Sequence, residues 1–410
     1  MKKFFALLLS LAMVLALVAC GQKDPTPDTP DTPDDPQTKV EYKVAMITDY
    51  GDITDQSFNQ TTYEACKAFA EDNSIEFSYF KPAGDNTADR VAMIEKAVND
   101  GFNVIVMPGY AFGGAIVEAA PEFPDVKFIA LDVAAGDLLE TAVAKAGEAY
   151  DYTPENWDLN KYVDMSNVYC AVYQEELCGY MAGYAAVKLG YKNLGFLGGM
   201  SVPAVVRYGY GFVQGVDAAA ADLGLTDVKL NYIYGGQFFG DADITAVMDT
   251  WYQGGTEVVF ACGGGIYTSA VDAAKKVGAK VIGVDVDQAG VIAKYAGVDG
   301  MTVTSAMKGL YPATYDTLTD VIVNGNWDKY VGKIATLGLV SGTDPEANYV
   351  QIPMGDGTQW SDSFTQDDYK AMVKDMFDGK ITVSNNTSSD VSAADFATVI
   401  TVDDQGSIKG

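Results

Sequence analysis

Short, wholly apolar strand patterns alternate with amphipathic helical patterns along almost the whole chain, and this alternation constrains the fold more than any other feature. Residues 44–48, 104–107, 127–131 and 168–172 read as strands in the first part. Residues 194–197, 229–234, 257–261, 281–284 and 301–304 repeat the pattern further on. Helical periodicity fills the intervals at 58–71, 88–99, 113–120, 177–189, 204–223, 243–252, 268–277 and 308–323. Strands apolar on both sides must be covered on both sides, which makes the sheets parallel with helices on each face. The fold class is therefore α/β, with doubly wound parallel sheets.

The stretch from residue 40 to 410 exceeds what one ordinary core encloses, so two domains are expected. The first lobe takes residues 40–173 and resumes at about 303–337. The second takes 174–302 and resumes at about 338–405. Such repeated crossing makes a hinge rather than a loose tether. Open α/β domains that face each other bring the carboxyl ends of their strands, and the loops there, to a shared cleft.

The chain begins differently. Lys2 and Lys3 precede an uncharged apolar run, residues 4–19, shorter than the about 20 residues a membrane helix needs. The run closes on Leu17-Val18-Ala19-Cys20-Gly21. Basic, apolar and small residues in that order form an export signal, residues 1–19. A cysteine directly after it resembles the bacterial lipobox, in which the thiol is diacylated and Cys20 becomes the first residue. Residues 20–39 then hold a proline every two or three positions among Asp and Thr, a semi-rigid spacer with nothing to bury. The expected location is the extracytoplasmic face of the cell membrane, through a lipid anchor.

The formal net charge is −29. A surface this acidic repels nucleic acid, so no nucleic-acid partner is expected. There is no histidine, which removes the commonest general base and the commonest metal ligand. No metal and no cofactor are expected, and no enzyme activity. Cys66, Cys170, Cys178 and Cys262 make no Cys-x-x-Cys pair and read as buried thiols, with a Cys170–Cys178 disulfide as the alternative.

Several loops at the predicted strand ends carry the polar and aromatic residues a ligand needs. Asp49 to Gln60 runs from the first strand into a helix capped by Asp55 or Ser57, and Phe58-Asn59 at that helix start points to the cleft rather than to a core. Asp132 ends one strand and Asp285 another, and strand-end carboxylates suit hydroxyl or N–H donors. The loops around Phe238-Phe239 and Gly263-Gly264-Gly265, and Lys308, complete the set.

Asp55-x-Ser57-Phe58-Asn59-Gln60, Gly179-Tyr180-Met181-Ala182-Gly183 and Gly198-Gly199-x-x-x-Pro203-Ala204-Val205 together resemble the basic membrane protein family of substrate-binding lipoproteins. Gly211-Phe212-x-x-Gly215-Val216, Gly283-Val284-Asp285-x-Asp287-Gln288 and Thr304-Ser305-x-x-Lys308 extend the match in the same order. The family's best-understood members are purine nucleoside receptors of ABC importers. The resemblance implies a type I periplasmic-binding-protein fold that traps a nucleoside between hinged lobes and hands it to permease and ATPase subunits. It implies Phe58 as one stacking ring and Phe238 as the second, with Phe239 as its rival. Asn59 and Asp132 would then face the base edge, Asp285 the ribose hydroxyls, and Lys308 the sugar. Gly264 would let backbone approach the ligand. Phe58→Ala is expected to weaken binding and leave the unliganded protein's melting temperature nearly unchanged. The rival readings are a sugar or signalling furanose in the same fold, a surface nucleoside hydrolase, and a non-transport adhesin.

Overall fold

Why successive residues of one strand can all be buried is visible in the first strand, β1 (Lys43–Ile47). Val44 and Met46 enter one core cluster while Ala45 and Ile47 enter another, because a strand's side chains alternate between its two faces. The same division recurs in β8 (Val258–Cys262), where Val258 and Phe260 face one cluster and Val259 and Ala261 another. Each sheet is therefore sandwiched between helices, as the apolar patterns require.

The computed structural model describes residues 41–49 and 51–409. The expected signal peptide, the lipidated Cys20 and the 20–39 linker lie outside the described residues. One sheet has six strands in the order β11-β5-β4-β3-β1-β2. Besides β1 these are β2 (Glu76–Phe80), β3 (Val104–Pro108), β4 (Lys127–Leu131), β5 (Val168–Tyr173) and β11 (Lys333–Leu337), all in parallel register. The other has seven strands in the order β12-β10-β9-β8-β6-β7-β13. Its further members are β6 (Asn193–Gly198), β7 (Lys229–Tyr234), β9 (Lys280–Asp285), β10 (Thr302–Lys308), β12 (Val350–Gln351) and β13 (Thr401–Ser407). Only the short β12 runs antiparallel among the described strands.

The return to the first lobe falls later than the sequence suggests. Residues 302–308 form β10, hydrogen-bonded to β9 in the second sheet, instead of re-entering the first lobe at about 303. The chain crosses after β10, where helix Leu310–Leu318 packs on helix Phe58–Asn73 through the Phe69–Tyr315 ring contact at 5.9 Å. It crosses again after β11. Strands β2 and β13 escape the sequence patterns because they are sheet edges: β13 is almost wholly exposed and reads Thr-Val-Asp-Asp-Gln-Gly-Ser.

Helices Glu175–Lys188 and Pro203–Asp222 pack closely enough to need glycine at their contact. A Cβ on Gly183 would lie 2.3 Å from the carbonyl oxygen of Phe212, and one on Gly211 would lie 2.1 Å from that of Glu176. Cys170 and Cys178 form no disulfide: Cys66, Cys170, Cys178 and Cys262 are all free and buried. No helix among the described residues is long and apolar enough to cross a membrane.

Candidate functional site

The carboxyl ends of β1, β4, β8 and β9 and the loop after β7 open onto one cavity of about 420 Å³. Phe58, Asn59, Asp132, Phe238, Phe239, Gly264, Asp285 and Lys308 all line it, so residues spread over some 250 positions, from 58 to 308, share one enclosure. The lobes touch across it. Ser57 Oγ donates to Asp285 Oδ2 from the other lobe. Gln288 Nε2 donates to the Gln56 carbonyl at 3.2 Å, and Tyr110 meets Met200 Sδ at 3.8 Å.

Lys308, the last residue of β10, organises one wall. Its side chain is 4 % exposed, and its ammonium lies 2.5 Å from Asp132 Oδ2, 3.5 Å from Glu175 Oε1 and 3.6 Å from Asp285 Oδ1. The rings of Phe58, Tyr173 and Tyr208 surround it at 4.6, 5.4 and 5.6 Å, a cation–π setting. Burial works against its charge, yet Asp132, Asp285 and Glu175 together hold its pKa above the ordinary lysine range. Arg207 takes the other side of Glu175 at 2.7 Å. Asp132 and Asp285 both adopt left-handed backbone, with φ of 58° and 65°, a conformation costly for a residue with a Cβ. The same device thus closes a strand in each lobe. Asp285 also accepts from Tyr208 at 3.2 Å.

Asn59 belongs to a separate network. Asp55 caps the helix, accepting from the backbone N–H groups of Ser57, Asn59 and Gln60 at 2.9, 2.9 and 3.1 Å, which settles the choice of cap and frees the Ser57 hydroxyl to cross the cleft. The Asn59 amide donates to Asp49 at 3.2 Å and Asp55 at 3.1 Å. Asn59 Oδ1 and Asp132 Oδ1 are buried with no hydrogen-bond partner among the described residues. Asp132, just past the end of β4, pairs with Lys308, whereas Asn59 pairs with Asp49 and Asp55, and both residues line the cavity.

Phe238 rests against glycine. A Cβ on Gly199 would come within 2.4 Å of its ring and one on Gly263 within 3.0 Å. Gly264 has φ of 48° and would place a Cβ 3.1 Å from the Phe238 carbonyl oxygen, so glycine there serves the packing of two loops as well as the cavity wall. Phe238 is half-buried, whereas Phe239 is 58 % exposed. Phe58 differs from the sequence expectation: it lines the cavity and also packs against core clusters of both lobes.

A family model described as "ABC transporter substrate-binding protein PnrA-like", of the Bmp family, matches residues 42–345. The chain belongs to the Bmp family. Among relatives of this Bmp protein is the "ABC transporter nucleoside-binding protein BmpA" of Lactococcus lactis, 25% identical over 92% of this chain and 96% of that one. "Basic membrane protein B" of Borreliella burgdorferi is 26% identical over 76% of this chain and 83% of that one. A solute-binding protein of an ABC transporter system from Aeropyrum pernix superposes with a TM-score of 0.63 at 18% identity, over 85% of this chain and 95% of that one. The fold is the type I periplasmic-binding-protein fold, two lobes of parallel sheet about a hinge.

The sequence did not point to Glu175, Arg207, Tyr208, Ser57 or Asp137 as site residues. Glu175 opens a long helix, where an acidic side chain commonly serves only the helix dipole, and Arg207 falls one turn inside another. Asp137 accepts from the Ala134 N–H at 2.7 Å, and burial in the cleft wall pushes its carboxyl up to about 7. A strand-end acid followed by a helix, as at Tyr173-Gln174-Glu175, was the available signal.

Proposed function

We propose that this Bmp protein captures nucleosides, purine nucleosides first, in the cleft between its lobes and delivers them to the permease and ATPase subunits of an ABC importer. The observation that carries this reading is the enclosure of Phe58 from one lobe and Phe238 from the other with the Asp285–Lys308 pair in a single cavity. A flat base between two rings gains about 1–3 kcal/mol per stacked face. The unpaired Asn59 oxygen suits an N–H on the base edge, and the unpaired Asp132 oxygen suits a ligand hydroxyl. Asp285 and Lys308 hold the ribose.

The cleft wall carries Asp49, Asp52, Asp55, Asp132, Asp137 and Asp285 against Lys81, Arg207 and Lys308. This excess of acid disfavours phosphorylated ligands, so nucleosides are preferred to nucleotides. The name of the L. lactis relative agrees with that class. Cys20 anchors the protein by lipid on the extracytoplasmic face, and binding leaves the ligand chemically intact.

Titration calorimetry with inosine, guanosine, adenosine, cytidine, guanosine monophosphate and ribose tests the reading. Purine nucleosides are expected to bind at micromolar affinity or better, with ribose and the monophosphate much weaker. Binding of sugars without nucleosides would overturn it. Free base appearing on incubation with guanosine would favour the hydrolase instead.

A further inference from the structure

We propose that Lys409 is a positioning residue for the loop that carries Phe238 and Phe239, a proposal that rests on the stacking role given to those rings above. The loop between β7 and helix Ala242–Gln253 contains Gly235, Gly236 and Gly240, and glycine raises the entropy lost on ordering a segment. Something must hold such a loop if it is to present an aromatic ring in a fixed pose. Lys409 bridges it near both ends. Its ammonium donates to Gln237 Oε1 at 2.8 Å and to the carboxylate of Asp241. Gln237 Nε2 in turn donates to the Phe239 carbonyl at 2.9 Å and to Asp241 at 3.0 Å.

The backbone sets this contact. Strand β13 pairs in parallel with β7 up to Ser407 opposite Tyr234, and the Ile408 N–H then donates to the Tyr234 carbonyl at 2.8 Å. The next residue is thereby laid across the loop. Gly236, at φ 78°, would place a Cβ 2.7 Å from the Lys409 Cβ, so the two backbones meet where only glycine fits. On the far side the Phe238 carbonyl accepts from the Gly265 N–H at 2.9 Å. The aromatic loop is thus clamped between the 263–265 loop and a segment outside the residues 42–345 that match the family. Lys409 is not among the residues that line the cavity and acts through the loop.

The full chain and its Lys409→Met, Lys409→Arg, Phe238→Ala/Phe239→Ala and combined variants decide the matter, by guanosine titration and by hydrogen exchange without ligand. Lys409→Met is expected to weaken guanosine binding roughly two- to five-fold, the range of a partly exposed ion pair. It should speed exchange across residues 235–241 while helix Ala242–Gln253 exchanges as before. Lys409→Arg should restore both. In the variant lacking both rings, removing Lys409 should cost nothing more. Unchanged exchange in the loop, loosening of the whole helix, or an affinity loss that persists without the rings would overturn the proposal. If the unaltered protein binds no nucleoside, the nucleoside reading fails, and loop exchange alone still decides whether Lys409 holds the loop.

Discussion

Replacing Lys308 by methionine keeps most of the side-chain volume and removes one buried charge, so its effect can be worked from the cleft wall. Three carboxylates face the ammonium, with side chains 10 % (Asp132), 0 % (Glu175) and 9 % (Asp285) exposed. They are not equally dependent on it. Glu175 keeps Arg207 at 2.7 Å, and Asp285 keeps Ser57 and Tyr208. Asp132 has Lys308 on one oxygen and nothing on the other among the described residues. The loss therefore falls on Asp132, and breaking a buried pair on one side costs about 3–5 kcal/mol. The stranded carboxyl escapes by taking up a proton, so its pKa in the folded variant rises above the unfolded value of about 3.9. Stability is then largest below that value and falls as pH rises through the raised folded pKa. Urea denaturation of unliganded Lys308→Met is expected to show the full loss at pH 7 and a smaller one at pH 5. Adding Asp132→Asn should recover much of it. A Lys308→Met protein within about 0.5 kcal/mol of the parent at pH 7, the scale of ordinary surface changes, would refute the reasoning, as would indifference to Asp132→Asn.

Phe58→Ala is expected to weaken nucleoside binding by about 1–3 kcal/mol. Because the ring also packs on both lobes, unliganded stability in urea should fall by roughly half of the about 3–5 kcal/mol of a fully buried ring; an unchanged denaturation midpoint would restore the sequence expectation. Gly211→Ala drives a methyl into the Glu176 carbonyl across the helix pair and is expected to destabilise by about 1–3 kcal/mol, read by thermal melting, with no loss if the helices can part freely. Asp137, raised to about 7, favours folding most below its unfolded pKa of about 3.9 and loses that contribution as pH climbs to 7. Asp137→Asn should therefore flatten the fall in stability between pH 4 and pH 7, and parallel melting profiles for the two proteins would exclude this.

What could be seen in the sequence and what could not follow different physical rules. Central strands such as β3 and β8 and the helices beside them announce themselves, because burial on both faces leaves an apolar run whatever the neighbours are. Edge strands β2 and β13 bury too little to leave that mark. The strand-end residues Asp132 and Asp285 were legible for a related reason: a carboxylate at the end of an apolar run sits at the carboxyl end of an interior strand, where loops meet a ligand.

The sequence by itself determined the α/β alternation, the two lobes and the carboxyl ends of the strands as the place where a cleft opens, since each is written in local pattern or motif. Only the tertiary structure decided that β10 stays with the second sheet, that Lys308 gathers Asp132, Glu175 and Asp285, that Ser57 reaches across the cleft, and that Lys409 lies on the aromatic loop. Apart from β10 on β9 and Lys308 on Asp285, those contacts join residues more than a hundred positions apart, and nothing local records them. They follow from which strand ends become neighbours once the sheets are assembled.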